Sequence, residues 1–175
     1  DFLRGKEYAG NGNSAVRLNQ GSGWGSTGVV SYPRCSGADI YLCFAISGAD
    51  NGVRLVDVNG DGFVDFVKSA DPVSDNPTSA VYLGSGTGWS SSSITYPRCA
   101  PTNSELCMTV DDKDHGVQFA EVNGDGLPDI IKARDGFGGR SSSVWINNDG
   151  NSWTESTVIS YPKCNSSDGH LCFVT

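Results

Sequence analysis

Apolar residues in this chain come in short bursts separated by polar, glycine-rich turns, and no segment sustains a 3.6-residue apolar period. The bursts recur along the chain. Phe-Leu-Arg at 2–4 returns as Phe-Val-Lys at 66–68 and Ile-Ile-Lys at 130–132, each followed by a variable polar stretch. Next come Val16-Arg-Leu18, Val81-Tyr-Leu83 and Val144-Trp-Ile146, in which the outer positions stay aliphatic and the middle one changes. That alternation predicts a strand with one buried and one exposed face, and it turns Arg17, Tyr82 and Trp145 outward.

A glycine-rich turn then leads to Trp24, Trp89 or Trp153, whose regular recurrence predicts packing between neighbouring units. The Gly-Ser-Gly-Thr-Gly run at 84–88 lacks the Lys-Ser/Thr of a phosphate loop and reads as a tight hairpin. Further strands are predicted at Val29-Val30, Ile94-Thr95 and Val158-Ile159, and at Phe44-Ala-Ile46 and Met108-Thr-Val110. Val53-Arg-Leu55 and Val117-Gln-Phe119 alternate into an acidic loop. The expected fold is all-β: tandem four-stranded antiparallel blades of about 64 residues, β-propeller-like, as part of a propeller or a linear array.

The period governs the domain organisation. Residues 1–175 form one repeat region of about 2.7 units, cut approximately at 1–64, 65–128 and 129–175, the last incomplete. A closed propeller of fewer than three blades would leave open sheet edges. The expectation is therefore either a window of a longer chain or copies joined end to end, in the limit a filament.

The formal charge of −8 argues against a nucleic-acid face, and its acids gather in the repeated loops. No run of apolar residues is long enough for a membrane span. Asp57-Val-Asn59-Gly-Asp61-Gly-Phe63-Val-Asp65 returns 64 residues later as Glu121-Val-Asn123-Gly-Asp125-Gly-Leu127-Pro-Asp129, and Asp1 aligns with the last acid of the loop. Calcium takes six to eight oxygens, and a tight loop with acids at alternate positions supplies them. Asp57, Asn59, Asp61, the Phe63 carbonyl and Asp65 are the expected Ca2+ ligands of one loop. Glu121, Asn123, Asp125, the Leu127 carbonyl and Asp129 are those of the other. An EF-hand would need Glu at position twelve, where Lys68 stands. The competing reading is a metal-free Asp/Asn-Gly turn.

The cysteines keep the same period: Cys35/Cys43, Cys99/Cys107 and Cys164/Cys172, each pair opened by Tyr-Pro-Arg-Cys or Tyr-Pro-Lys-Cys. Six cysteines allow fifteen connectivities, and repetition selects closure within each unit, if the units are structurally alike. Zinc is the alternative, but histidines at ligand spacing are missing. Local disulfides imply an oxidising, extracellular setting.

The acidic loop within such a unit resembles the FG-GAP/VCBS family, the integrin-α-like propeller repeats. The resemblance implies calcium between blade strands and roles in adhesion, ligand binding or extracellular architecture. The Cys-x7-Cys loop lies outside that pattern. The expected function is a secreted, calcium-binding repeat protein with a structural or adhesive role, in the limit a filament subunit. Its partners are copies of itself or adjoining repeats, with glycans or extracellular proteins as further ones. A carbohydrate-binding module is the alternative, with Tyr82 and Trp145 as ligand contacts, and a scaffold of a larger toxin or surface protein is another. No Ser/His/Asp set is suggested by local spacing, so no enzyme is expected. Asn165 heads the sole N-glycosylation sequon, since Pro77 blocks Asn76.

Overall fold

The computed structural model describes residues 2–8, 11–26, 30, 32–36, 39, 41–71, 78–99, 103, 105–135, 141–161, 164 and 172–173, with the backbone alone at 2, 8, 11 and 26. The expectations for Asp1, Val29 and Asn165 lie outside these residues.

The chain is all-β, and the described residues contain no helix. The first sheet holds β1 (Phe2–Tyr8), β2 (Asn11–Asn19) and β3 (Trp24–Ser26), with the short hairpin β4 (Ala45–Ile46) and β5 (Ala49–Asp50). The second is a meander of β6 (Val53–Val56), β7 (Asp65–Asp71), β8 (Thr78–Gly84) and β9 (Trp89–Ser91). It too carries a hairpin, β10 (Thr109–Val110) and β11 (Lys113–Asp114). The third repeats the meander as β12 (Val117–Ala120), β13 (Asp129–Arg134), β14 (Ser141–Asn148) and β15 (Ser152–Glu155).

The register repeats with the sequence. Phe2 pairs with Arg17, Phe66 with Tyr82 and Ile130 with Trp145. Val53–Val56 pairs with Asp65–Lys68 as Val117–Ala120 pairs with Asp129–Lys132. β6 stops at Lys68, and β10 takes over the same edge of β7, in parallel, at Ala70 and Asp71. Each hairpin is thus laid against its own sheet by the chain returning through the cysteine loop.

The strands expected at Ile94-Thr95 and Val158-Ile159 do not form; the fourth strand of the meander starts at the tryptophan or next to it. Serine hydroxyls are the reason. Ser92 Oγ accepts the Ile94 N–H at 3.2 Å, and Ser156 Oγ accepts those of Val158 and Ile159 at 3.2 and 2.9 Å. These local bonds compete with the ladder and bend the chain toward the Tyr-Pro corner. There Tyr32 donates its hydroxyl to Leu42 O at 2.7 Å, and Tyr96 to Leu106 O at 2.8 Å. Both carbonyls precede the second cysteine of their loop.

The three disulfides close within their units as expected. Cys35 bonds Cys43, Cys99 bonds Cys107 and Cys164 bonds Cys172, with Cα separations of 5.0, 4.9 and 5.0 Å. The pairing consumes all six thiols, so the zinc alternative is set aside. Cys172 nevertheless differs from its counterparts in burial. Cys43 and Cys107 are fully buried, whereas Cys172 is only half-buried. The reason is its place in the last unit, where no further described sheet covers the loop. The chain still returns to its own sheet there. Phe173 N donates to Ala133 O at 2.9 Å, as Met108 N donates to Ser69 O and Phe44 N to Gly5 O.

The sheets stack face to face, so β7 and β8, the middle strands of the second sheet, are buried on both sides. Phe66 points into a core shared with the first unit, beside Val16, Tyr32 and Leu42. Its neighbour Val67 points into a second core shared with Val117, Ile130 and Trp153 of the third sheet. Tyr82 and Trp145 follow the same rule, which corrects their expected outward orientation. They are only 9% and 7% exposed, each facing the preceding unit. Trp89 and Trp153 also pack at these junctions, Trp89 edge-on to Phe66 at 5.0 Å and Trp153 against Tyr96 at 5.9 Å. Trp24, whose sheet has no described sheet before it, is 57% exposed.

Candidate metal centre: the acidic loops

Each acidic loop joins the first two strands of a meander, and its glycines bend it. Gly60 and Gly62 have φ of 73° and 86°, and Gly124 and Gly126 have 89° and 84°, backbone that side-chain-bearing residues rarely adopt. Asp57 sits at the centre of the curve. Its Oδ1 accepts the N–H groups of Gly60 (2.8 Å) and Asp61 (3.2 Å), and its Oδ2 accepts that of Gly62 (2.8 Å). Asn59 Oδ1 accepts from Asp61 N at 3.2 Å, and its Nδ2 donates to Asp61 Oδ2 at 3.0 Å. Asp61 Oδ1 accepts from Phe63 N at 2.8 Å. First-, third- and fifth-position side chains are therefore brought together, and the Phe63 ring is half exposed.

The second loop repeats the plan with one change. Glu121 Oε1 accepts from Asn123 N at 2.8 Å and from Gly124 N. Its longer side chain leaves Asp125 N to Asn123 Oδ1 at 3.0 Å. Asn123 Nδ2 donates to Asp125 Oδ2 at 2.8 Å, and Asp125 Oδ1 accepts from Leu127 N at 2.8 Å.

The ninth-position acids differ from the others. Asp65 and Asp129 are fully buried. Asp65 accepts Val58 N at 2.8 Å on one oxygen and Gly84 N at 2.7 Å on the other, clasping the acidic loop to the next turn. Asp129 does the same with Val122 N at 3.0 Å and Asn147 N at 2.8 Å. Burial pushes the Asp65 carboxyl above its ordinary pKa, the two amides pull it back, and the negative charges of Asp61 and Asp57 add to the rise. Gly84 has to be glycine here: a Cβ would lie 2.4 Å from Val64 O.

Among the described residues no three His, Cys, Asp or Glu side chains gather as a metal-ligating group. The loops offer a different donor set, oxygens of two acids, an amide and a backbone carbonyl, which suits a hard cation such as calcium and not zinc.

Sequence reasoning missed the lysines of the middle strands. Lys68 and Lys132 are buried, with ammonium groups that donate to Asn51 and to the Glu105 carbonyl respectively. Burial pushes each down to about 8, the nearby carboxylates Asp50 and Glu105 partly offsetting it. The repeated Lys at 68 and 132 was the available signal. Missed too were Arg34 and Arg98, which cross to the next unit from the Tyr-Pro-Arg-Cys corner. The chain matches no protein-family model, no curated protein and no solved structure.

Proposed function

We propose that this chain is a calcium-braced repeat protein with a structural or adhesive role in an extracellular assembly. One observation carries the reading: two acidic loops stand at the same place in successive sheets, each folded around its first acid and each clasped by a buried aspartate. Asp57, Asn59, Asp61 and the Phe63 carbonyl would hold one ion, and Glu121, Asn123, Asp125 and the Leu127 carbonyl the other, with Asp65 and Asp129 beneath them. The bound ion would neutralise the clustered carboxylates and tie each loop to its strands. Asn59 and Asn123 would turn their amide oxygens inward, giving up the bonds to Asp61 and Asp125. The likeness to FG-GAP/VCBS repeats belongs to this proposal, and it rests on the loop pattern.

The extracellular setting is supported by three disulfides, which persist in oxidising compartments. No helix among the described residues is long and apolar enough to cross a membrane. The assembly role is supported by the way the second sheet buries both faces, one against each neighbour. The glycan-binding alternative would need contacts other than Tyr82 and Trp145, which are buried.

Calorimetric titration of the calcium-stripped chain tests this. About two ions should bind per chain, the Glu121 loop more weakly, and the melting temperature should rise with calcium by mass action. No heat and no thermal shift at millimolar calcium would reduce the loops to ordinary turns.

A further inference from the structure

The second and third sheets each pair the strand before the acidic loop with the strand after it, β6 with β7 and β12 with β13. The first sheet has no such partner among the described residues. β2 takes one edge of β1, and on the other β4 reaches only Lys6 and the Gly5 carbonyl. Leu3, on the edge at Phe2–Arg4, lines a groove of about 360 Å³ between the first and second sheets. Leu3, Val16 and Leu18 form one wall, and Phe63, Gly84 and Trp89 the other.

One unit along, the same place is filled. The counterparts of those walls are Val67, Val81 and Leu83, packed in one core with Trp153, and Leu127 and Asn147, which meet Gly60 and Val58. Between them stand Val56 and Val58, and Val58 is fully buried. Asn147 Nδ2 donates to Val58 O at 2.8 Å across the junction. Gly150 lies so close to Asn59 that a Cβ would come within 2.6 Å of its Cα. Leu127 sits over Gly60 in the same way. Its counterpart Phe63 is 46% exposed, and Leu55, beside the groove, is 39% exposed. Among the described residues the first junction thus has both walls of the second and not the segment between them.

We propose that the β1 edge and this groove accept the strand-and-loop segment of another repeat unit of this kind. Its pattern is the one shared by Val53–Gly60 and Val117–Gly124, Val-x-apolar-x-acid-Val-Asn-Gly. The segment runs antiparallel to β1, pairing with Phe2–Arg4 as β6 pairs with Lys68–Phe66. Its side chains equivalent to Val56 and Val58 enter the groove, and its loop glycine lies under Phe63. Backbone bonds along the edge give affinity, and the apolar walls give specificity. This deepens the assembly half of the proposed function and is independent of calcium.

The test uses a labelled synthetic peptide of residues 51–65 and the full 175-residue chain, in chelator and again in calcium. Saturable one-to-one binding is expected in both buffers, with new hydrogen-exchange protection at Leu3 and Arg4. A peptide carrying Val56→Asp and Val58→Asp should bind at least about tenfold more weakly, since its charges would have to enter an apolar groove. Phe63→Ser in the chain, at an exposed position, should weaken binding without unfolding the protein. Absence of binding at up to about 1 mM peptide overturns the proposal. So does equal binding of the doubly charged peptide, or protection confined to other strands, or a chain dimer through β1 that the peptide does not displace. Peptide binding without calcium binding would sink the metal reading and leave this one standing; the reverse result would do the opposite.

Discussion

Arg98 lies across the ring of Trp145, its guanidinium carbon 4.8 Å from the ring centroid, and so joins the second unit to the third. One unit earlier Arg34 donates to the Tyr82 hydroxyl at 3.0 Å. Both arginines have φ of 47°, a left-handed turn that aims them off the Tyr-Pro corner at the next sheet. The variable middle position of the third strand is therefore an inter-unit joint. Trp145→Ala should lower the unfolding free energy by about 3–5 kcal/mol, as for a buried large aromatic. Urea denaturation measures it, and a loss under about 1 kcal/mol would return the ring to the surface.

Asn51 and His115 occupy the same position in successive units, and each binds the carbonyl of its unit's second cysteine. Asn51 Nδ2 donates to Cys43 O at 2.8 Å, and His115 Nδ1 lies 3.3 Å from Cys107 O. Burial, with the charges of Lys132 and Arg134, pushes His115 down to about 4. The folded value lies below the ordinary one of about 6.5, so the unfolded chain takes up the proton first. Stability should fall as pH drops from about 6.5 to 4, by about 2 kcal/mol. His115→Asn, the residue used one unit earlier, should abolish that part of the pH dependence. Urea midpoints for both proteins at pH 7 and 4.5 make the comparison, and identical slopes would refute it.

The acids of the first loop should separate by position. Asp65→Asn leaves an N–H donor facing a backbone N–H inside the fold, and should cost about 2 kcal/mol without calcium. Asp57→Asn, nearer the surface, should cost less than about 1 kcal/mol there. In calcium the order of effects on ion affinity should favour Asp57, whose substitution removes a ligand charge. Chemical denaturation in chelator, followed by calcium titration, reads both.

Each disulfide closes a short loop between residues eight apart in sequence. Replacing Cys99 and Cys107 together by serine should lower stability by about 2.5 kcal/mol on loop-entropy grounds. The Tyr96 hydroxyl bond to Leu106 O should keep the loop in place, so the fold should survive. Circular dichroism with a denaturant series checks both statements. Under mild reduction Cys172, half-buried, should become labelled before the fully buried Cys43 and Cys107. Mass spectrometry after alkylation gives the order, and simultaneous labelling of all three would contradict it.

Much of this architecture was readable in the chain. Val81 and Leu83 marked a strand, Gly60 and Gly62 a sharply bent loop, and the spacing of Cys99 and Cys107 a local bridge. Other features were hidden. Ile94 and Val158 carry strand-like side chains, yet neighbouring serine hydroxyls draw their amides out of the ladder. The deep burial of Asp65 could not be inferred from a loop rich in exposed acids, because it depends on Gly84, 19 residues away. Nor could the pairing of Cys164 with Cys172 tell that Cys172 is less covered than its counterparts.

The sequence alone determined the period, the strand spacing, the sharp bend of the acidic loops and the pairing of cysteines, since each depends on residues close together in the chain. The tertiary structure decided which side chains are hidden. A strand with one sheet face in solvent shows alternation as inside and outside. Here a second sheet covers the other face, so Phe66 and Val67, like Val81 and Tyr82, are buried in opposite directions. Alternation then tells which neighbour a residue meets, and only the stacking of successive units tells that both neighbours are there.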